Sequence, residues 1–155
     1  MNERDFSARV RMLTDRLWRI SWTLLQNGAD CDDALQETLL RAWQNIRSLQ
    51  NDAYFATWIT RILINECKNI LRRRKNRPQP MPEQLPEKVQ ADHPELREAI
   101  LSLPINLRVP LVLHYIEGYS IKEISAMLRL PQTTVNWRLH SARKVLRDDL
   151  KKEDM

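Results

Sequence analysis

The sequence predicts an all-α fold: two small helical domains joined by a Pro-rich linker. Three observations predict it. Only two glycines occur in 155 residues, and no stretch alternates β-branched with polar residues as a half-buried strand would. Apolar residues instead recur at three- and four-residue steps along most of the chain. Five of the eight prolines, Pro78, Pro80, Pro82, Pro86 and Pro94, crowd into one segment, where fixed φ and missing donors exclude regular helix or sheet. The expected division is 1–75, an extended and semi-stiff linker over 76–94, and 95–155.

In the first part the spacing predicts three helices. One covers about 5–26, with Phe6, Val10, Leu13, Leu17, Ile20 and Leu24 as its inner stripe. Asn27 and Gly28 are expected to end it, glycine supplying the left-handed residue beyond a helix end. Asp30 is the expected N-cap of the second, with Asp33 three residues on as a variant capping box. This helix reaches about Arg47, and its core side is Leu35, Leu39, Ala42, Trp43 and Ile46. After the loop SLQND, a third helix over 53–74 turns Ile59, Leu63, Cys67 and Ile70 inward.

The second part predicts helices over 94–103 and 105–117, separated by Pro104 and closed by Gly118. Ser120 with Glu123 at the third position is a capping box, opening a short helix to Leu128 that buries Ile121, Ile124 and Leu128. Arg129, Leu130 and Pro131 make a turn. The last helix carries Val135, Leu139, Ala142 and Leu146 as one buried stripe.

Composition bounds the function. With 43% hydrophobic and 29% charged residues the chain is of globular type, and its net charge of +5 suits an anionic partner. The opening MNERDFSARVRML is too charged for a secretory signal, and no apolar run reaches the ~18 residues of a membrane span, so a cytoplasmic location without membrane insertion is expected. Cys31 and Cys67 stand apart, fitting neither a disulfide framework nor a metal site. Cys67 reads as a buried thiol. Cys31 lies near a helix start, where a thiol can be acidified, and a redox role there stays open. His93, His114 and His140 are scattered with no nucleophile, base and acid set, so no enzyme, cofactor or metal is expected.

Three surface faces carry the functional signal. On the second helix, Asp33, Gln36, Glu37, Leu40, Arg41 and Gln44 form a stripe of acids, amides, an arginine and one leucine. It suits a partner protein, although a solvated face would carry the same pattern. On the third, Arg61, Asn65, Lys68, Asn69 and Arg72 run into the basic end of Arg72, Arg73, Arg74 and Lys75, an electrostatic track for DNA. Tyr54 at its start is placed to stack on an unpaired base. On the last helix, Thr133, Asn136, Trp137, His140 and Lys144 lie opposite the buried stripe. Two helices joined by a short turn form a helix-turn-helix, whose second helix fits a major groove. Asn136, Trp137 and His140 would meet base edges. Arg138, Arg143 and Lys144 would meet phosphates, with Thr133 and Thr134 in a first turn suited to another.

The stretches DCDDALQETLLRAWQNI and FATWITRILINECKNILRRRK together resemble region 2 of the extracytoplasmic-function (ECF) sigma factors of bacterial RNA polymerase. LPINLRVPLVLHYIEGYSIKEISAMLRLPQTTVNWRLHSARKVLR resembles their region 4. The resemblance implies a role in promoter-specific transcription initiation without catalytic residues of the chain's own. It implies that Asp33, Gln36, Glu37, Leu40 and Arg41 bind the β′ clamp helices of core polymerase, with the β flap as a further partner. It places Ser48, Asn51, Asp52, Tyr54, Arg61, Asn65, Lys68, Arg72, Arg73 and Arg74 at the −10 element, where a base is flipped into a loop pocket. Thr133, Thr134, Asn136, Trp137, Arg138, His140, Ser141, Arg143 and Lys144 would read the −35 duplex. An anti-sigma factor is the implied regulator. Arg129 departs from the usual turn glycine, Trp137 from a usual small residue and Asn136 from a frequent basic one. A free-standing helix-turn-helix regulator is the alternative.

Overall fold

The computed structural model describes residues 1–75 and 93–153, which fall into two compact units. Nearly all of the linker expected over 76–94 lies outside the described residues. No strand occurs among those described.

The first unit is three long helices: α1 (Glu3–Leu25), α2 (Gly28–Gln44) and α3 (Phe55–Arg74). The starts of α1 and α2 have visible causes. Asn2 accepts from the Asp5 amide at 2.8 Å, and Glu3 and Asp5 place negative charge at the positive end of the helix. The α1–α2 junction corrects the expectation. Gln26, not glycine, takes the left-handed conformation (φ 48°), and Gly28 is the first residue of α2. The N-cap is Asn27, whose side chain accepts from the Asp30 amide at 2.9 Å. An extended Asn27 can cap directly, which leaves the Asp30 carboxylate for another task.

The core of this unit is set by Leu17, Ile20 and Leu24 of α1 and by Ile59, Leu63, Cys67 and Ile70 of α3, all buried as their spacing predicts. The inner row of α2 is different. It runs Cys31, Ala34, Thr38, Ala42, while Leu35, Leu39 and Ile46 are only half-buried and Trp43 is 40% exposed. Small residues bring α2 close to its neighbours. Thr38 is admitted because its hydroxyl donates to the Ala34 carbonyl at 2.6 Å. Trp43 instead lies against Phe6 (5.2 Å between centroids), which meets Phe55 edge-on at 5.8 Å.

The second unit has shorter pieces: α4 (Pro94–Leu101), α5 (Ile105–Leu111), α6 (Ile121–Leu128) and α7 (Gln132–Glu153). The helix expected over 105–117 is not uniform. Pro110 sits inside α5, where its missing N–H leaves the Asn106 carbonyl without the usual donor. From Val112 to Ile116 the coil widens into a π-helical turn, with Glu117 N–H donating to the Val112 carbonyl at 3.0 Å. Gly118 follows at φ 78°, a conformation that disfavours side chains. The capping box forms as expected: Ser120 Oγ accepts from the Glu123 amide, and Glu123 Oε1 from the Ser120 amide. In α6 the fully buried pair is Ile124 and Met127, with Ile121 and Leu128 half-buried.

Candidate nucleic-acid and partner interfaces

The α6–α7 junction decides what α7 presents. Arg129 adopts φ 54°, the left-handed conformation usually left to glycine, and its N–H donates to the Ser125 carbonyl. Ser125 Oγ donates to the Leu130 carbonyl, so the turn is tied at both levels. α7 then enters with Val135, Leu139 and Ala142 at 0%, 1% and 0% exposure. Thr133, Asn136, Trp137, His140, Arg143 and Lys144 are exposed, while Thr134, Arg138 and Ser141 are half-buried. All the residues expected to read duplex DNA thus lie on one outward arc or its shoulders. Arg143 is already oriented: it donates to the Tyr115 hydroxyl, and its guanidinium carbon lies 5.9 Å from that ring's centroid. Tyr115 stands outward (54% exposed) on the π-helical turn. Apolar spacing gives no sign of this pairing, because a regular helix would aim position 115 elsewhere.

In the first unit the loop after α2 folds into two 3₁₀ turns, Ile46–Ser48 and Asp52–Tyr54. Ser48 Oγ donates to the Asn45 carbonyl at 2.7 Å, and Asn51 Oδ1 accepts from the Ala53 amide at 3.0 Å. Arg9 latches the loop to α1 by donating to the Asp52 carbonyl at 3.2 Å. Tyr54 is the loop aromatic left facing outward, 64% exposed, whereas Phe55 is buried and Trp58 half-buried. Asn65, Lys68, Arg72 and Arg73 are exposed along α3, and Arg61 is half-buried.

Arg74, by contrast, is engaged within the unit. Its guanidinium pairs with the Asp30 carboxylate and donates to the Leu25 carbonyl at 2.9 Å. It therefore staples the end of α3 to the end of α1 and the start of α2. The α2 outer row and α3 meet along a cleft of about 640 Å³, lined by Asp33, Gln36, Glu37 and Arg41 on one side and Glu66, Asn69, Arg72 and Arg73 on the other. Arg41 spans it, 2.8 Å from Glu66 and 3.2 Å from Glu37. Glu66 is absent from the sequence-based candidates although it is the one acid among residues 55–75, and it is buried. Leu40 stands beside this row, 52% exposed.

Neither cysteine is an activated thiol. Burial pushes Cys31 up to about 11, with nearby Asp32 and Asp30 adding to the effect, and burial raises Cys67 as well. The acidification left open for Cys31 is not borne out: α2 starts three residues earlier, and the thiol faces the core. Among the described residues no cluster of His, Cys, Asp or Glu could hold a metal ion, and no helix is long and apolar enough to cross a membrane.

Comparison with known proteins places both units. The Sigma-70 region 2 family model matches residues 10–77, and the Sigma-70, region 4 model matches residues 93–146. The ECF RNA polymerase sigma factor SigM of Mycobacterium tuberculosis is 32% identical over 133 residues, covering 83% of this chain and 68% of SigM. The chain belongs to the ECF sigma factors of RNA polymerase. Its field of action is transcription initiation. The sigma factor is also 34% identical over 157 residues to SigE of Mycolicibacterium smegmatis, covering 92% of this chain and 60% of SigE, so it spans less than two thirds of that relative. Two solved structures share the fold of this sigma factor. RpoE in complex with the anti-sigma factor NepR from Bartonella quintana gives a TM-score of 0.82 at 21% identity, covering 95% of this chain and 97% of that one. CnrH in complex with the cytosolic domain of CnrY gives 0.74 at 24%, covering 97% and 90%.

Proposed function

We propose that this sigma factor joins core RNA polymerase and selects promoters by gripping two separated DNA elements. The observation that carries the reading is the two-sidedness of α7: a sealed stripe of Val135, Leu139 and Ala142 behind an outward arc of Thr133, Asn136, Trp137, His140 and Lys144. That arc takes the −35 duplex in its major groove, with Arg138 and Arg143 on phosphates at its shoulders. The first unit binds the β′ clamp helices through the Asp33, Gln36, Glu37, Leu40 and Arg41 row, and the second adds a contact to the β flap. The turn around Ser48, Asn51, Asp52 and Tyr54, with Arg61, Asn65, Lys68, Arg72 and Arg73, opens the −10 element. Tyr54 offers the stacking surface that offsets a flipped base.

An anti-sigma factor would hold such a protein inactive by covering these faces. NepR, an anti-sigma factor, bound to RpoE and the CnrY domain bound to CnrH support that reading.

Reconstitution with bacterial core polymerase tests the proposal. The expected result is a co-eluting complex and run-off transcripts from start sites that share one upstream pair of elements. Duplex binding without any association with core would leave a free-standing helix-turn-helix regulator instead.

A further inference from the structure

We propose that Trp137 reads the C5-methyl group of a thymine in the −35 duplex, fixing one A·T pair of that element. The proposal rests on the assignment of α7 to the −35 duplex and gives that surface a chemical preference.

The geometry starts from the buried stripe. An α-helix turns about 100° per residue, so Trp137 lies roughly 200° from Val135 and almost opposite the sealed face. It shares this crest with Thr133, His140 and Lys144. Asn136 and Arg143 form one shoulder, and Thr134 and Arg138 the other. When a helix lies in a major groove its crest faces the base edges, while its shoulders face the two phosphate walls. The shoulders here carry arginines suited to phosphate. The crest carries a large apolar ring that is 65% exposed, against 40% for Trp43 and 3% for Trp22.

An indole so placed has one donor and is otherwise apolar. Of the features displayed in the major groove, guanine, adenine and cytosine offer donors and acceptors, and the thymine methyl is the apolar group. Against the other bases the ring strips water from polar edges of which its single N–H can satisfy at most one. Against thymine it withdraws two apolar surfaces from water together.

The experiment uses the full chain with core polymerase. A promoter library randomised over the −35 element first yields the preferred sequence. Each thymine in it is then replaced singly by deoxyuridine, which deletes the methyl and leaves every hydrogen-bonding group. Wild type is expected to lose about fourfold in affinity at one position, the effect of one methyl group no longer withdrawn from water. Trp137→Ala should bind thymine and uracil equally there, and Trp137→Phe should keep part of the difference. Unchanged core binding and far-ultraviolet circular dichroism verify that both variants fold. If wild type binds preferred promoters but tolerates uracil at every position, the methyl contact is wrong while the −35 reading stands. If Trp137→Ala still discriminates, another residue reads the methyl and the assignment is overturned. If no −35 preference emerges from the library, the −35 reading itself fails and this inference falls with it.

Discussion

The two units hold many of their surface cations differently. In the first, several cations near the functional faces are tied into the fold, Arg74 to Asp30, Arg41 to Glu66 and Arg9 to the Asp52 loop, while Lys68, Arg72 and Arg73 stand exposed. In the second, the crest of α7 is exposed and makes no ion pair among the described residues, while Arg143 is steadied by a neutral phenol that leaves its charge uncompensated. The difference separates two kinds of binding surface. A face that must hold three helices in register uses its charges partly on itself. A face proposed to neutralise phosphates keeps its cations uncompensated, because affinity for DNA comes from releasing its counterions.

The largest effect that would test this division is on the cores. Leu63→Ala and Leu139→Ala should each destabilise the protein by about 2–5 kcal/mol, since both side chains are fully buried. Thermal unfolding followed by circular dichroism measures it. His140→Ala, one residue along from Leu139, should leave stability within about 0.5 kcal/mol and alter −35 preference instead. Equal loss of affinity on all sequences would give His140 a non-specific role.

Within the basic end of α3 the contrast sharpens to adjacent residues. Arg74→Ala removes an ion pair and a cap on the Leu25 carbonyl, both partly buried, and should destabilise by about 2 kcal/mol. Arg72→Ala and Arg73→Ala should leave stability nearly unchanged and flatten the salt dependence of promoter binding by up to about 0.9 log–log units for each phosphate no longer neutralised. A steep slope in the double variant would remove these arginines from the DNA track.

The units also differ in their buried titratable groups. Both cysteines are in the first unit, and burial holds Cys31 at about 11 against an ordinary 9.0. A raised folded-state pKa means that the folded protein keeps a proton the unfolded chain releases. The resulting stability is therefore complete below pH 9 and lost as pH rises toward 11. Urea unfolding, monitored by tryptophan fluorescence, should show a loss of about 2 kcal/mol from Cys31 across that window, with Cys67, also raised by burial, adding a loss of the same sign. Cys31→Ala should reduce that dependence, and an unchanged slope would show that the thiol does not titrate there.

How far the sequence reveals this molecule follows from the kind of signal each feature leaves. Helix number, the inner stripe of α7 and the Ser120–Glu123 box are legible because each is local and periodic. The inner row of α2 is not. Leu35, Leu39 and Trp43 look like a core side, but close packing favours the smaller Ala34, Thr38 and Ala42, a tertiary outcome that hydrophobicity alone does not encode. The roles of Glu66 and Arg74 are hidden for the same reason: their partners, Arg41 and Asp30, lie 25 and 44 residues away in sequence. The π-helical turn that aims Tyr115 at Arg143 follows from a local widening of the coil, which no apolar spacing announces.

The smallest effect compares the two strained turns. Gln26 at φ 48° and Arg129 at φ 54° are the non-glycine residues with positive φ among those described, one closing α1 and one closing α6. A side chain in that conformation carries roughly 1 kcal/mol of strain, while glycine carries extra unfolded-state entropy. Arg129→Gly should therefore stabilise by a few tenths to about 1 kcal/mol, because the exposed arginine gives up little packing. Gln26→Gly should gain less, since Gln26 is half-buried at the crowded α1–α2 junction. Differential melting of the two variants measures the gap. A larger gain at Gln26 would mean that its side chain, not its backbone, is the strained element. Arg129→Gly has a second consequence beside α7: one fewer positive charge near the DNA face should weaken promoter binding slightly at low salt and not at high salt. A turn that accepts backbone strain while adding a cation beside the proposed DNA-reading helix would then be trading stability for attraction to its ligand, a trade the Gln26 turn does not offer.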